Sequence, residues 1–232
     1  LSKNTTAHNN VAIGYNSMLE VVDGDKNVAI GSFAMQMTDN DSESSKENVF
    51  IGYNSGAGTW GNAESNYNTA VGAWTMDGGL NGATGNVAFG FNALTALTTA
   101  TGNVAVGYQA GDSITTSGEN TFVGYEAGAA LTGGSGLNIA MGYQPLYLGT
   151  GNSGAIAIGT RAGYNSQASN NVYVGASSGR ENRAGISQVY IGASAGYYAT
   201  GSYNTFVGQD AGKGGTTSAP FSSGENNTAL GY

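Results

Sequence analysis

Apolar and polar positions recur along the chain in one fixed frame. Asn-Val-Ala-Ile-Gly at Asn10 to Gly14 returns at Asn27 to Gly31. The same five-position frame ends at Gly52, Gly72, Gly90, Gly107, Gly124, Gly142, Gly159, Gly175, Gly192, Gly208 and Gly231. Successive copies of the thirteen stand roughly 16 to 23 residues apart, most of them about 17, which is the self-similarity of a repeat architecture. Counting back from the glycine, position −3 is always Val, Ile or Thr and position −1 is always apolar. Bulky, mostly β-branched residues at every second position read as a short strand with one apolar face. That spacing predicts that −3 and −1 face the interior.

Position −2 lies on the other face of the strand. It is occupied by Ala12, Ala29, Phe50, Ala70, Ala88, Ala105, Phe122, Ala140, Ala157, Tyr173, Tyr190, Phe206 and Ala229. A column without charge in a charge-poor chain predicts a contact face between copies of the chain. Position −4 is Asn in eleven copies, the exceptions being Ala155 and Gln188, and stacked amides can hydrogen-bond from coil to coil as ladders. The glycine, present in every copy, calls for positive φ or close backbone approach. Small residues at +3, Gly, Met or Leu at +4, and a Gly/Ser/Thr/Asn turn predict a second short strand in each period.

One such unit cannot bury a core alone, whereas stacked units can. The expected fold is all-β: a parallel β-solenoid of β-roll or β-prism type, with about 13 coils and a repeat of about 17 residues. At the usual spacing between strands thirteen coils extend roughly 60 Å. Residues 1–232 read as a single repeat domain, a segment of a longer fibrous protein, with long loops at 36–47, 57–67 and 213–225.

Composition narrows the chemistry. Glycine is 40 of 232 residues and charged residues are 9%, against typical values of about 7% and 25%. Zero cysteines exclude disulfide frameworks and thiolate chemistry, and a single histidine, His8, removes most zinc sites and weakens a Ser-His-Asp proposal. His8 precedes the first coil and reads as a surface or capping residue. No cofactor or metal is expected. The formal charge of −8 repels nucleic acid and anionic membrane surfaces, and no apolar run long enough to span a membrane is present.

The motif from Asn10 to Ser17, and its relative from Gly102 to Gly111, resembles the head repeat of trimeric autotransporter adhesins. It is equally similar to repeats of bacteriophage tail fibres and tail-fibre-domain proteins. This resemblance covers essentially the whole chain. It implies a homotrimeric extracellular fibre, on a virion tail or a bacterial cell surface, that adheres to a host glycan or protein receptor. The intervals between copies are longer and less regular here than in the adhesin head.

In a solenoid, insertions and residues that break a column are the places to look for function. The acidic stretch from Asp39 to Glu47 lacks the glycine and distal glutamate of a calcium loop and reads as solvated. Position +2 is mostly polar, but Phe33 and Trp74 break that rule. Spaced about 10 Å apart on one face with Asn54 between them, they are candidates for receptor binding. Trp60 and Tyr67, from the long third interval, and Phe221, from the last, join them as candidates. A polysaccharide-cleaving, tailspike-like enzyme is the alternative, although the carboxylates are scattered one per coil or lie in loops. Ice binding is a third reading, disfavoured because the Thr residues at −3 are scattered and are expected to face inward.

Overall fold

A computed structural model describes residues 6–19, 21–36, 44–134, 136–215 and 223–232. The fold is an all-β parallel β-solenoid whose repeat is about 17 residues. The chain divides into two compact units, Leu1–Glu119 and Asn120–Tyr232. Unit 1 carries β1 (Val11–Ile13), β2 (Val28–Ile30), β3 (Val49–Ile51), β4 (Thr69–Val71), β5 (Val87–Phe89) and β6 (Val104–Val106). Unit 2 carries β7 (Thr121–Val123), β8 (Ile139–Met141), β9 (Ile156–Ile158), β10 (Val172–Val174), β11 (Val189–Ile191), β12 (Thr205–Val207) and β13 (Thr228–Leu230).

Within each unit every strand pairs in parallel with the next, column on column. Val11 faces Val28, Val28 faces Val49, and Val172 faces Val189. The Val28 backbone N–H donates to the Asn48 carbonyl at 2.8 Å and that of Gly31 to the Ile13 carbonyl at 2.7 Å. The second strand expected in each coil is absent from the described residues. The far wall is built of turns whose backbones also pair between coils, Met35 N–H donating to Ser55 O at 2.8 Å. Backbone groups there are satisfied without extended geometry, so strand dihedrals are not required.

The two faces of the strand are reversed from the expectation. Ala29, Phe50, Ala70, Ala88, Ala105, Phe122, Ala140, Ala157, Tyr173 and Tyr190 are fully buried inside their own chain, and Phe206 is nearly so. Ala12 and Ala229, in the first and thirteenth coils, are half-buried. The −2 column is therefore the core and not a contact face between chains. The −3 and −1 columns point outward, with Ile13 59% and Ile191 40% exposed. The reason is width. Each strand is three residues long and the chain turns at both ends, so the inner face presents one side chain per coil and the outer face two.

That narrow interior is filled by a rule visible in the columns. Where −2 is Ala, position +4 supplies Met18, Met35, Met76, Leu94 or Leu146. Where −2 is Phe50, Phe122, Tyr173, Tyr190 or Phe206, position +4 is Gly. A Cβ on Gly56 would stand 2.5 Å from the Phe50 ring. Positive φ is common to both solutions, +64° at Gly56 and +47° at Met76. Ala105 and Ala157 are the exceptions, paired with Gly111 and Gly163. In the second of these, the space beside Gly163 is taken by Tyr173 and Leu146 from the neighbouring coils.

Two further columns seal each coil. The strand-end glycine adopts φ of +140° at Gly72, and a Cβ there would collide with the Gly90 carbonyl oxygen. Both conditions exclude other residues. The Asn at −4 shares the inner face with −2 and forms the expected ladder. The Asn48 side chain donates to Asn27 Oδ1 at 3.1 Å and to the Ser65 carbonyl at 2.8 Å, while Asn48 Oδ1 accepts from the Asn68 backbone and side chain. Gln188 continues the ladder, its backbone N–H donating to Asn171 Oδ1 and its Oε1 accepting from the Asn204 N–H. Ala155 interrupts it, and nearby the buried Asn152 amide has no partner. Buried amides that are paired on both sides hold the register, because a slipped coil leaves them unsatisfied.

Candidate binding site

The corner that follows each strand is where side chains are released from packing. Position +1 leaves the glycine exposed, and +2 takes a left-handed conformation, φ being +53° at Asn16 and +52° at Asn54. Asn and Asp tolerate that conformation most readily among residues with a side chain, and bulky residues enter it at a cost. Phe33 and Trp74 adopt it nonetheless, at +61° and +60°.

Each of the first four coils contributes one aromatic ring to this corner. Tyr15 and Tyr53 come from +1. In the coils of Phe33 and Trp74, position +1 is the small Ser32 or Ala73, which makes room for the aromatic at +2. Successive rings meet edge to face, Tyr15 and Phe33 at 5.4 Å, Phe33 and Tyr53 at 5.9 Å, and Tyr53 and Trp74 at 5.3 Å. Such pairs contribute about 1 kcal/mol each beyond area burial. Thus Phe33 and Trp74 share a face, with Tyr53 rather than Asn54 between their rings. Phe91 and Tyr108 continue the corner, stacked at 5.6 Å.

Beside Trp74 lies an open depression of about 210 Å³ lined by Trp74, Asp77, Phe91, Asn92 and Thr95. Trp74 is 37% exposed. The Thr95 hydroxyl lies against the Trp74 carbonyl and 3.2 Å from Asp77 Oδ1, tying the two coils together across the floor. Burial holds the Asp77 carboxyl above the ordinary carboxylate range, opposed in part by the Thr95 hydroxyl. Asp77, Phe91, Asn92 and Thr95 carry no signal in the sequence, because each alone fits its column.

The other sequence candidates separate. Trp60 is a core residue, 1% exposed, its indole N–H donating to the Gly56 carbonyl at 2.9 Å and its ring meeting Phe50 at 5.8 Å. Its ring is turned inward from the loop at 57–67 and fills the coil rather than the surface. Tyr67 is exposed but precedes β4, whereas Trp74 follows it, so the two occupy opposite ends of the strand. Phe221 lies outside the described residues, as do parts of the loops at 36–47 and 213–225.

Unit 2 builds a different exterior. Tyr125 and Tyr143 stack at 5.2 Å, as do Tyr147 and Tyr164. Arg161 lies 5.9 and 5.7 Å from the rings of Tyr143 and Tyr164, and Arg180 lies 5.4 Å from those of Tyr164 and Tyr197. Glu181 pairs with Arg183 at 3.4 Å and accepts from Asn165 at 2.6 Å.

In unit 1 the His8 backbone N–H donates to Asp25 at 2.6 Å and its ring stands 3.8 Å from the same carboxylate. Among the described residues no group of three or more His, Cys, Asp and Glu side chains is placed to hold a metal ion, and no helix is long and apolar enough to cross a membrane. The Thr residues at −3 face outward rather than inward. Only Thr205 and Thr228 are neighbours, so the flat array that ice binding needs is not formed. No protein-family model, no curated protein and no solved structure matches the chain.

Proposed function

We propose that this chain is a structural segment of an extracellular attachment fibre, of the virion tail-fibre or bacterial surface-adhesin kind, in which three copies associate through the outward −3 and −1 columns. One observation carries the reading: a strip of Val, Ile and other uncharged side chains two residues wide runs along the outer face of each unit, with no charged residue at any −3 or −1 position. Parallel sheets are normally covered on both faces. Here the chain covers one face itself, and an apolar strip of that length in water drives association. The exposed aromatic corner of unit 1 supplies the surface for a receptor. Glycosidic cleavage needs two carboxyl groups flanking a bond, and the depression beside Trp74 is lined by one, Asp77.

Two adjacent substitutions test the association. Val106→Asp places a charge on the outer strip and is expected to leave the coil folded but reduce the particle to a 23.3 kDa monomer by light scattering. Ala105→Asp places it in the core and is expected to abolish folding of unit 1. A native chain that is monomeric at micromolar concentration overturns the reading.

A further inference from the structure

We propose that the depression between Trp74 and Phe91 binds a single neutral pyranose ring. This deepens the attachment half of the reading above by naming the ligand class and its position, and it rests on that half alone. The +2 position is left-handed in all of the first twelve coils, and most of them place Asn, Gln, Ser, Asp or Glu there. The backbone conformation therefore belongs to the frame, and what sets Trp74 apart is a large aromatic, 37% exposed, in a column that is otherwise mostly polar. Its indole forms one wall of the depression and Phe91, from the next coil, forms another.

Between the aromatic walls stand a carboxylate, an amide and a hydroxyl: Asp77, Asn92 and Thr95. This set both donates and accepts. Sugar hydroxyls also do both, while the C–H face of a pyranose is apolar enough to lie on an aromatic ring. A quaternary ammonium group would use the rings and Asp77 but would offer the Asn92 amide neither a donor nor an acceptor. A volume of about 210 Å³ is below the range that holds drug-sized ligands and suits one ring. Binding a peptide by strand addition needs a free sheet edge, and β4 and β5 are paired on both sides.

Charge selects further. No Lys or Arg lines the depression, Asp77 is acidic, and the chain carries −8 overall. Anionic sugars are repelled, so the ligand is a neutral hexose or N-acetylhexosamine.

Saturation-transfer NMR on the full chain tests this with methyl glycosides of glucose, galactose, mannose and N-acetylglucosamine, and with N-acetylneuraminic acid and choline as contrasts. At least one neutral glycoside is expected to bind through its ring C–H protons, with a dissociation constant on the order of 1 mM for so small a ligand. Trp74→Asn restores a residue type common in the column and should fold normally. It is expected to weaken binding at least tenfold with unchanged particle size, and Phe91→Ser to do the same. Binding of choline or the anionic sugar in preference, no binding by any neutral glycoside, or undiminished binding by Trp74→Asn each overturns the proposal. None of these outcomes bears on association, which fails only if the native chain is monomeric.

Discussion

Unit 1 and unit 2 share one frame and fill it in opposite ways. In four of the six coils of unit 1 the strand contributes Ala and the opposite turn contributes Met18, Met35, Met76 or Leu94. In unit 2 four strands contribute Phe122, Tyr173, Tyr190 or Phe206, and the facing turn retreats to Gly. The cross-section is kept while the wall that supplies the volume changes. Where the core aromatic is Tyr, a hydroxyl is buried as well: Asn182 donates to Tyr173 Oη at 2.7 Å, with Ser166 Oγ at 3.2 Å, whereas the buried Tyr190 hydroxyl has no hydrogen-bond partner. Unit 1 has apolar Val21, Leu80, Leu97 and Ile114 in the comparable stretch of the coil. What most coils hold constant is therefore the volume shared between −2 and +4, not residue identity.

The largest expected effect comes from forcing one unit's solution on the other. Ala70→Phe overfills its coil and is expected to cost about 3 kcal/mol. Phe122→Ala leaves a cavity and is expected to cost about 4 kcal/mol. The paired changes Ala70→Phe with Met76→Gly, and Phe122→Ala with Gly128→Leu, are expected to recover most of each loss in urea denaturation. Doubles no more stable than the singles would break the comparison.

A smaller effect separates the units by pH. Burial pushes the Tyr173 and Tyr190 hydroxyls well above their ordinary value, and for Tyr190 the neighbouring Tyr173 adds to it. Once pH exceeds the ordinary tyrosine value of about 10, the unfolded chain releases protons that the folded chain retains, so stability falls as pH rises. In unit 1 the described tyrosines are all exposed or half-exposed, and both tryptophans of the chain lie there. Hydrogen exchange at the amides of β10 and β11 should therefore report the opening of unit 2 while Trp60 emission stays that of a buried indole. Coincident transitions would show that the units melt as one.

The smallest effect concerns Asp77. Its carboxyl is raised by burial, so its ionised form weakens the fold, and this cost appears as pH rises through its folded value. Partial exposure screens it. Asp77→Asn is expected to raise the melting temperature of unit 1 by about 1 °C at pH 7 and to have no effect at pH 3. An equal shift at both pH values would assign the gain to something other than charge.

Much of the fold is legible in the sequence because the coil is short and its columns repeat. Strand positions, parallel pairing, the amide ladder at −4 and the glycine requirement all follow from the frame at Asn10 to Gly14 and its twelve returns. The choice of inner face is not, if β-branching alone is taken as the guide, although two other signals bear on it. Asn at −4 and Ala at −2 share a face by alternation, so a ladder of buried amides places Ala12 and its column inside. The exchange of Met76 for Gly56 against Ala70 and Phe50 says that +4 and −2 compete for one space. Trp60 illustrates a different limit. An aromatic in a long interval can bind a ligand or close a coil, and only the meeting of its ring with Phe50 distinguishes the two.

The amino-acid order by itself determined a stacked, parallel, charge-free strand, because period, β-branching and glycine act locally and repeat in every coil. Period, alternation and β-branching leave open which face of that strand is interior, which tertiary structure decided, and tertiary structure alone decided which side chains meet at the Trp74 corner. Alternation tells which residues share a face but not which face turns inward. That choice depends on the width of the closed coil and on the volume left inside it.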